Sequence, residues 1–110
     1  MRLRVFVENL AERDLEDHID FIAADNPHHA ARFIEAVQSA FARLGDMPRI
    51  GKVREFRDVR LEGTRFWPIP GFDKYLIFYR ITESEVQVLR VLHGAQDIQA
   101  ILDRGPNYDA

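Results

Sequence analysis

The chain has 110 residues, no cysteine, 46% hydrophobic residues and a net charge of −3. This length suits one domain with a single modest core, and the missing cysteines exclude a disulfide framework, a zinc–cysteine site and a thiol nucleophile. No run approaches ~20 apolar residues and no apolar leader follows Met1. We therefore expect no membrane span, no secretion signal and a cytoplasmic location.

The first quarter of the chain predicts one strand and one helix. Residues 2–7 alternate in polarity, which is typical of a strand. Apolar residues then recur at helical spacing over about 10–24, with Asn9 as N-cap and Glu12 completing a capping box. The acids of this helix lie mostly on the face away from the apolar residues.

A second helix follows at once. Asn26 can cap a helix and Pro27 suits its first position, so the spacing predicts a helix that runs to about Leu44 and ends at Gly45. Because only about two residues separate the helices, they are expected to form an antiparallel hairpin.

The second half of the chain predicts a loop, three strands and a short helix. Their expected ranges are 45–58 for the loop, 64–69, 74–81 and 85–92 for the strands, and 95–103 for the helix. Short connections predict an antiparallel meander with the most apolar strand, 74–81, at its centre, while Pro68 places 64–69 at an edge. The predicted fold is α+β, β-α-α-β-β-β-α, with a mainly antiparallel sheet and a helical hairpin on one face, leaving the other face open. We expect one domain over residues 1–104 and a flexible tail over 105–110.

Charge is spread unevenly along the chain. Residues 8–25 carry seven acids, whereas residues 49–65 carry six bases. The simplest interpretation is two solvated faces of opposite sign, and the alternative is that the basic stretch meets an acidic partner. An acidic chain overall is a poor general binder of nucleic acid, because phosphate affinity comes from accumulated Lys and Arg.

Few residues suggest a catalytic or metal site. Ser39 falls in a helix and Ser84 in a turn, and no nucleophile motif surrounds either. His18 has no second histidine at i+4, and there is no Gly-rich phosphate loop. We therefore expect no metal and no cofactor.

The last strand and its neighbours carry the sharpest group of polar side chains. An arginine within an apolar run is costly to bury unpaired. Strict alternation places Arg90 with Val86, Val88 and Leu92, and places His93 on the opposite side. Each arginine either pairs with a carboxylate at the sheet margin or contacts a target. The target-contact candidates are Arg80, Arg90, His93 and Asp97, of which Asp97 can also cap the last helix.

Four segments carry a resemblance to a known family: ADNP at the helix turn, PRIGKVRE in the loop, YLIFYR in the central strand and LRVLHGAQDI at the end. From about Ala11 to Leu102 the chain resembles toxins of the RelE/ParE superfamily, which act in type II toxin–antitoxin pairs. The match is to the ParE branch, which often has HGARDI where this chain has HGAQDI. Gln96 thus replaces a frequent Arg, which argues against a phosphate-directed role there.

The resemblance implies a β-α-α-β-β-β core and a hetero-oligomer with a ParD-like antitoxin, whose flexible C-terminal segment wraps and neutralises the toxin. ParE-like toxins inhibit DNA gyrase by protein–protein contact without hydrolytic chemistry, whereas RelE-like relatives cut mRNA in the ribosome. The residues favour the first activity, because no complete acid–base set is visible and net charge is negative.

Two alternatives remain open. One is a ribosome-dependent endoribonuclease with Arg80, Arg90 and His93 as catalytic residues, although the chain has only two lysines for docking on RNA. The other is a binding module that has lost its toxicity and serves only its antitoxin.

The antitoxin is expected to bind across the helical hairpin, whose first helix is acidic, and the nearby apolar sheet edge. Basic and apolar side chains of the antitoxin would meet these surfaces. The predicted contact residues are Glu12, Glu16, Asp20, Phe66 and Trp67. The two aromatic residues are otherwise ordinary core residues.

Overall fold

The computed structural model describes residues 2–104, so the predicted tail, 105–110, lies outside the described residues. The strands are β1 Arg4–Val7, β2 Lys52–Val53, β3 Arg65–Ile69, β4 Phe72–Ile81 and β5 Glu85–His93, and the helices are α1 Asn9–Asp25, α2 Pro27–Asp46 and α3 Ile98–Arg104. This confirms the α+β class and the predicted order of the main elements. The predicted loop, 45–58, is wrong in part, because it contains the end of α2, a 3₁₀ turn at Pro48–Ile50 and the two-residue strand β2.

The five strands form one mixed sheet in the order β1-β5-β4-β3-β2. The meander β3-β4-β5 is antiparallel and β4 is central, as predicted. β1 joins the sheet parallel to β5. The prediction that strand 64–69 lies at an edge of the sheet is wrong, because β3 lies between β4 and β2. Pro68 is tolerated there because β2 pairs only with Arg65 and Phe66, so the missing N–H of Pro68 breaks no bond to β2.

The helix ends follow local chemistry at one boundary and tertiary packing at two others. Asn26 caps α2 by accepting a hydrogen bond from the backbone N–H of His29 at 3.1 Å, as predicted. The prediction of Asn9 as a cap is wrong, because Glu8 occupies that position and Asn9 is already helical. Gly45 does not end α2, which continues to Asp46; a Cβ at Gly45 would lie 2.8 Å from the carbonyl oxygen of Leu3. Only glycine lets α2 approach β1 this closely.

Two cores lie on opposite faces of the sheet. The main core joins the helical hairpin to one face and consists of Ala11, Ile22, Ala30, Phe33, Val37, Ala40, Leu44, Ile69, Ile77, Tyr79, Val86, Val88 and Val91. The second core lies on the open face, opposite the hairpin, and consists of Leu61, Phe78, Leu92, Ile98 and Leu102. α3 therefore covers part of the open face. Within residues 2–104, no helix is long and apolar enough to cross a membrane.

A β-bulge in β5 changes which side chains share a face. Phe78 pairs with Arg90 whereas Tyr79 pairs with Val88, so Leu89 is the extra residue. The prediction that Arg90 shares a face with Val86 and Val88 is therefore wrong. Beyond the bulge, Arg90 stands opposite Phe78 of the second core.

Tyr79 ties the turn after α2 to the sheet. Its ring is fully buried, and its hydroxyl donates to the Pro48 carbonyl at 2.6 Å and accepts from the Gly51 N–H at 2.9 Å. Burial raises the pKa of the Tyr79 hydroxyl, while the Gly51 hydrogen bond and the charge of Arg65 oppose that rise. A buried polar group with two partners holds this segment in place.

Candidate functional site

Helix α1 runs along the outer edge of β5 beyond the end of β1. β1 pairs with this edge only as far as Val7. Past that point, the backbone of Val91 forms hydrogen bonds with two α1 side chains that are one helical turn apart. The Val91 N–H donates to Asp14 Oδ2 at 3.0 Å, and His18 Nε2 donates to the Val91 carbonyl at 2.8 Å. Two i, i+4 side chains on one helix face can reach a single residue of the strand in this way. His18 is therefore a structural residue with its proton on Nε2.

Arg90 is neutralised by the same carboxylate. Its Nε and one terminal nitrogen each donate to Asp14 at 2.8 Å, and the two residues are only 9% and 8% exposed. This bidentate geometry is the strong form of an Arg–carboxylate pair. The predicted pairing of Arg90 with a carboxylate at the sheet margin is confirmed, whereas Asp14 departs from the expectation that the α1 acids lie in solvent.

A groove opens on the open face between α1, α3 and the 3₁₀ turn Val59–Leu61. It encloses about 560 Å³ and is lined by Glu8, Asn9, Leu10, Asp58, Arg60, Leu61, Arg80, Gln87, Leu89, Arg90, Ile101 and Leu102. Arg80 donates to the Arg60 carbonyl at 2.8 Å, and its Nε is buried with no acceptor among residues 2–104. Arg60 in turn pairs with Asp58, and this contact lowers the pKa of the Asp58 carboxyl and raises that of Arg60. Arginines and carboxylates thus meet in the groove.

His93 lies at the other end of β5. Its Nδ1 accepts the Ala95 N–H at 3.0 Å, and its ring packs edge-on against Tyr75 with centroids 4.9 Å apart. Burial raises the pKa of the Tyr75 hydroxyl. Gln96 closes the turn by accepting the His93 N–H at 2.7 Å, a bond that an Arg at this position cannot accept. Asp97 caps α3 by accepting the Ala100 N–H at 3.3 Å.

The structure therefore divides the target-contact candidates into two groups. Arg80 and Arg90 both line the groove. Gln87 pairs with Arg80 and is six residues before His93 on the same strand, a separation of about 20 Å at ~3.3 Å per residue. Arg90 is only three residues before His93, but the two side chains lie on opposite faces of β5, because Arg90 stands opposite Phe78 and His93 opposite Tyr75. Among the described residues, neither His93 nor Asp97 lines the groove.

The predicted antitoxin residues are also divided. Glu12, Glu16 and Asp20 are exposed on α1. Phe66 packs against the second core and Trp67 against the main core, so these neighbours point to opposite faces of β3. α1 runs along the outer edge of β5, and the widths of β5 and β4 lie between that edge and β3. The five residues do not form one continuous surface.

A family model described as the ParE toxin of type II toxin–antitoxin systems matches residues 5–98. The chain belongs to the ParE toxin family. A search among curated proteins found no match.

Two solved structures resemble this ParE-type toxin. One is the chromosomal ParDE system from P. aeruginosa, with a TM-score of 0.68 and 17% identity over 84% of this chain and 96% of that one. The other is the RelBE2 toxin–antitoxin complex from Mycobacterium tuberculosis, with a TM-score of 0.59 and 28% identity over 87% and 95%. The first likeness shows the shared fold.

Sequence reasoning missed two residues that organise the ParE-type site. The sequence patterns assign no contact to Asp14 or His18, yet both bond to Val91. Their i, i+4 spacing was the available signal, together with an arginine in an apolar strand that needed a partner.

Proposed function

We propose that this ParE-type toxin inhibits DNA gyrase by protein–protein contact, and that a cognate ParD-like antitoxin holds it inactive in a cytoplasmic hetero-oligomer. The observation that carries the proposal is the separation of His93 from the arginines of the groove. RNA cleavage through a 2′-hydroxyl needs a base, an acid and cations around one phosphate. In this chain the arginines line the groove, whereas His93 lies outside it.

The bonding of each group supports contact rather than cleavage. Two donors of the Arg90 guanidinium bond to Asp14, and Arg60 is paired with Asp58. The Nδ1 of His93 already accepts a backbone N–H. A protein that inhibits by binding needs a complementary surface and no tuned proton donor.

A supercoiling assay with purified toxin and gyrase tests the proposal. We expect loss of supercoiling, accompanied by a rise in cleaved DNA. Undiminished supercoiling at excess toxin would remove gyrase as the target. Induction in a bacterial host without antitoxin provides a second readout, and normal growth would favour a non-toxic binding module.

The groove supports a second candidate function, a RelE-like ribosome-dependent endoribonuclease. Three arginines line a cavity of about 560 Å³, a volume able to admit a phosphate group. This reading requires translation-dependent mRNA cuts that disappear in Arg80→Ala. We rank it second, because two of these arginines are ion-paired and no histidine among residues 2–104 lines the groove.

For the antitoxin we propose binding along the exposed acids of α1, Glu12, Glu16 and Asp20. Changing all three to Lys should weaken antitoxin affinity at low salt, because the partner brings basic side chains. A matched control changes three exposed acids outside α1, Glu55, Glu62 and Glu83, by the same total charge. Equal affinities of the two triple variants at low salt would show that α1 is not the contact.

A further inference from the structure

Arg80 has a hydrogen-bond donor that the fold leaves unpaired. The side chain lies on the open face, because Arg80 is two residues after Phe78 of the second core along β4. One terminal nitrogen donates to the Arg60 carbonyl at 2.8 Å, whereas the Nε–H is buried and has no acceptor among residues 2–104. A buried charged donor without an acceptor is costly, and an acceptor from outside the chain would remove that cost.

The other two arginines that line the groove are neutralised within the fold. Arg60 pairs with Asp58, and Arg90 pairs with Asp14. Among the lining residues, Arg80 is therefore the one cation that has no carboxylate partner within residues 2–104. One guanidinium with a donor to spare is the partner that a single carboxylate needs.

Glu8 adds a negative charge to the groove at the start of α1. Its side chain makes no capping hydrogen bond to the first turn of the helix. A phosphodiester chain would bring several negative charges toward this carboxylate, whereas one acidic side chain can reach Arg80 with less repulsion. Arg13 and Arg104 lie on α1 and α3, but they do not line the groove and each has a partner of its own. The charges of the groove therefore favour a single carboxylate over a polyanion.

Most of the remaining groove wall is apolar. It is lined by Leu10, Leu61, Leu89, Ile101 and Leu102. Leu89 is the extra residue of the bulge in β5, and a bulge redirects a side chain out of the regular alternation. Leu61 and Leu102 are buried in the second core, so this wall is in place before a partner binds. An apolar wall beside one cation fits a protein segment in which an acidic residue is next to an apolar residue.

We propose that the groove is the docking site for an acidic side chain of the target protein, an Asp or Glu whose neighbour in the target is apolar. The carboxylate would accept the Arg80 Nε–H, and the apolar neighbour would lie on Leu89 and Ile101. This inference rests on the proposed inhibition of gyrase by contact and adds where, and by which chemistry, the toxin holds its target.

Direct binding of purified gyrase to the intact toxin tests the docking site. We expect Arg80→Gln to weaken binding at least about tenfold, because a buried charged contact loses its donor. Arg32→Gln is the matched control: Arg32 is exposed on α2, which packs on the other face of the sheet, and the same charge change there should alter affinity less than about twofold.

Glu8→Gln should act in the opposite direction. It removes a like charge beside the incoming carboxylate and should strengthen gyrase binding by about two- to fivefold at low salt. Glu35→Gln makes the same charge change at an exposed position of α2 and should leave the affinity within about 1.5-fold of wild type. Because the two groove variants shift affinity in opposite directions, a general loss of stability cannot produce both results.

The outcomes separate the docking site from the proposed function. If wild-type toxin does not bind gyrase, the proposed function fails and the docking site fails with it. If wild type binds gyrase and both Arg80→Gln and Glu8→Gln keep the wild-type affinity, the docking site alone is wrong. If Arg80→Gln lowers the urea midpoint, Leu89→Ala replaces it as the weakening variant, and unchanged affinity in Leu89→Ala and Glu8→Gln would overturn the proposal. Binding of a single-stranded RNA that is lost in Arg80→Gln, with gyrase affinity unchanged, would assign the groove to RNA instead.

Discussion

Replacing Asp14 by alanine should cost this domain a large share of its stability. The change removes the acceptor of three hydrogen bonds: two from the Arg90 guanidinium at 2.8 Å and one from the Val91 N–H at 3.0 Å. Arg90 is 9% exposed, so its buried charge would lose the carboxylate that neutralises it. Breaking such a pair from one side costs about 3–5 kcal/mol.

This loss is large against the total stability of a small domain, which is typically about 5–15 kcal/mol. Urea unfolding of purified Asp14→Ala and wild type measures it directly. The matched control is Asp17→Ala, an exposed aspartate on the same helix, which should change stability by less than about 0.5 kcal/mol. A loss below about 1 kcal/mol for Asp14→Ala would refute the claim that this carboxylate anchors α1 to β5.

A double variant distinguishes the cost of removing one partner of the buried ion pair from the cost of removing both. Asp14→Leu with Arg90→Met removes both charges together and should be less destabilising than Asp14→Leu alone, because no unpaired charge remains. If the double variant is as unstable as the sum of the single variants, the two residues are not coupled.

Three further predictions concern the turn after α2. Tyr79→Phe should lower the free energy of unfolding by about 1–3 kcal/mol, since a buried N–H and a carbonyl lose their partner; Tyr75→Phe is the control, and an equal loss in both would contradict this. Burial raises the pKa of Tyr79 in the folded protein above the ordinary tyrosine value of about 10. The contribution of Tyr79 to the free energy of unfolding is therefore complete below pH ~10 and is lost as the pH rises through the folded-state pKa. The free energy of unfolding should fall more steeply with alkaline pH in wild type than in Tyr79→Phe. Gly51→Ala should cost about 1–3 kcal/mol, because its Cβ would lie 2.5 Å from the Tyr79 hydroxyl and 2.7 Å from the Phe66 carbonyl oxygen. Gly94→Ala, where the nearest atom is 3.6 Å away, should be nearly neutral in the same urea experiment, and similar losses at both glycines would refute the steric argument.

The main elements were predictable because their signals are local. The helical repeat of α2, the Asn26–Pro27 boundary and the apolar run of β4 each lie within one segment of the chain. The predicted helix ends at Asn9 and Gly45 were wrong. The start of α1 is set by the entry of the chain from β1, and the end of α2 is set by the packing of α2 against β1. Tertiary contacts of this kind override local propensity.

The candidate site was less predictable because it depends on distant pairs. The bulge at Leu89 shifts every later side chain of β5 to the other face, and strict alternation cannot reveal it. Asp14 and Arg90 are 76 residues apart in sequence, so a carboxylate that looked solvated proved to be the partner that the arginine needed. Arg80 and His93 were grouped by sequence, whereas the length of β5 separates them.

The central claim is that this toxin acts on gyrase by reversible contact and breaks no bond. A titration of gyrase supercoiling with the toxin, followed by addition of excess antitoxin to the inhibited mixture, tests it most directly. We predict inhibition that saturates with the toxin-to-gyrase ratio and full recovery of supercoiling after the antitoxin captures the toxin. Supercoiling that is unaffected by excess toxin, or a loss that persists after capture, would contradict the account.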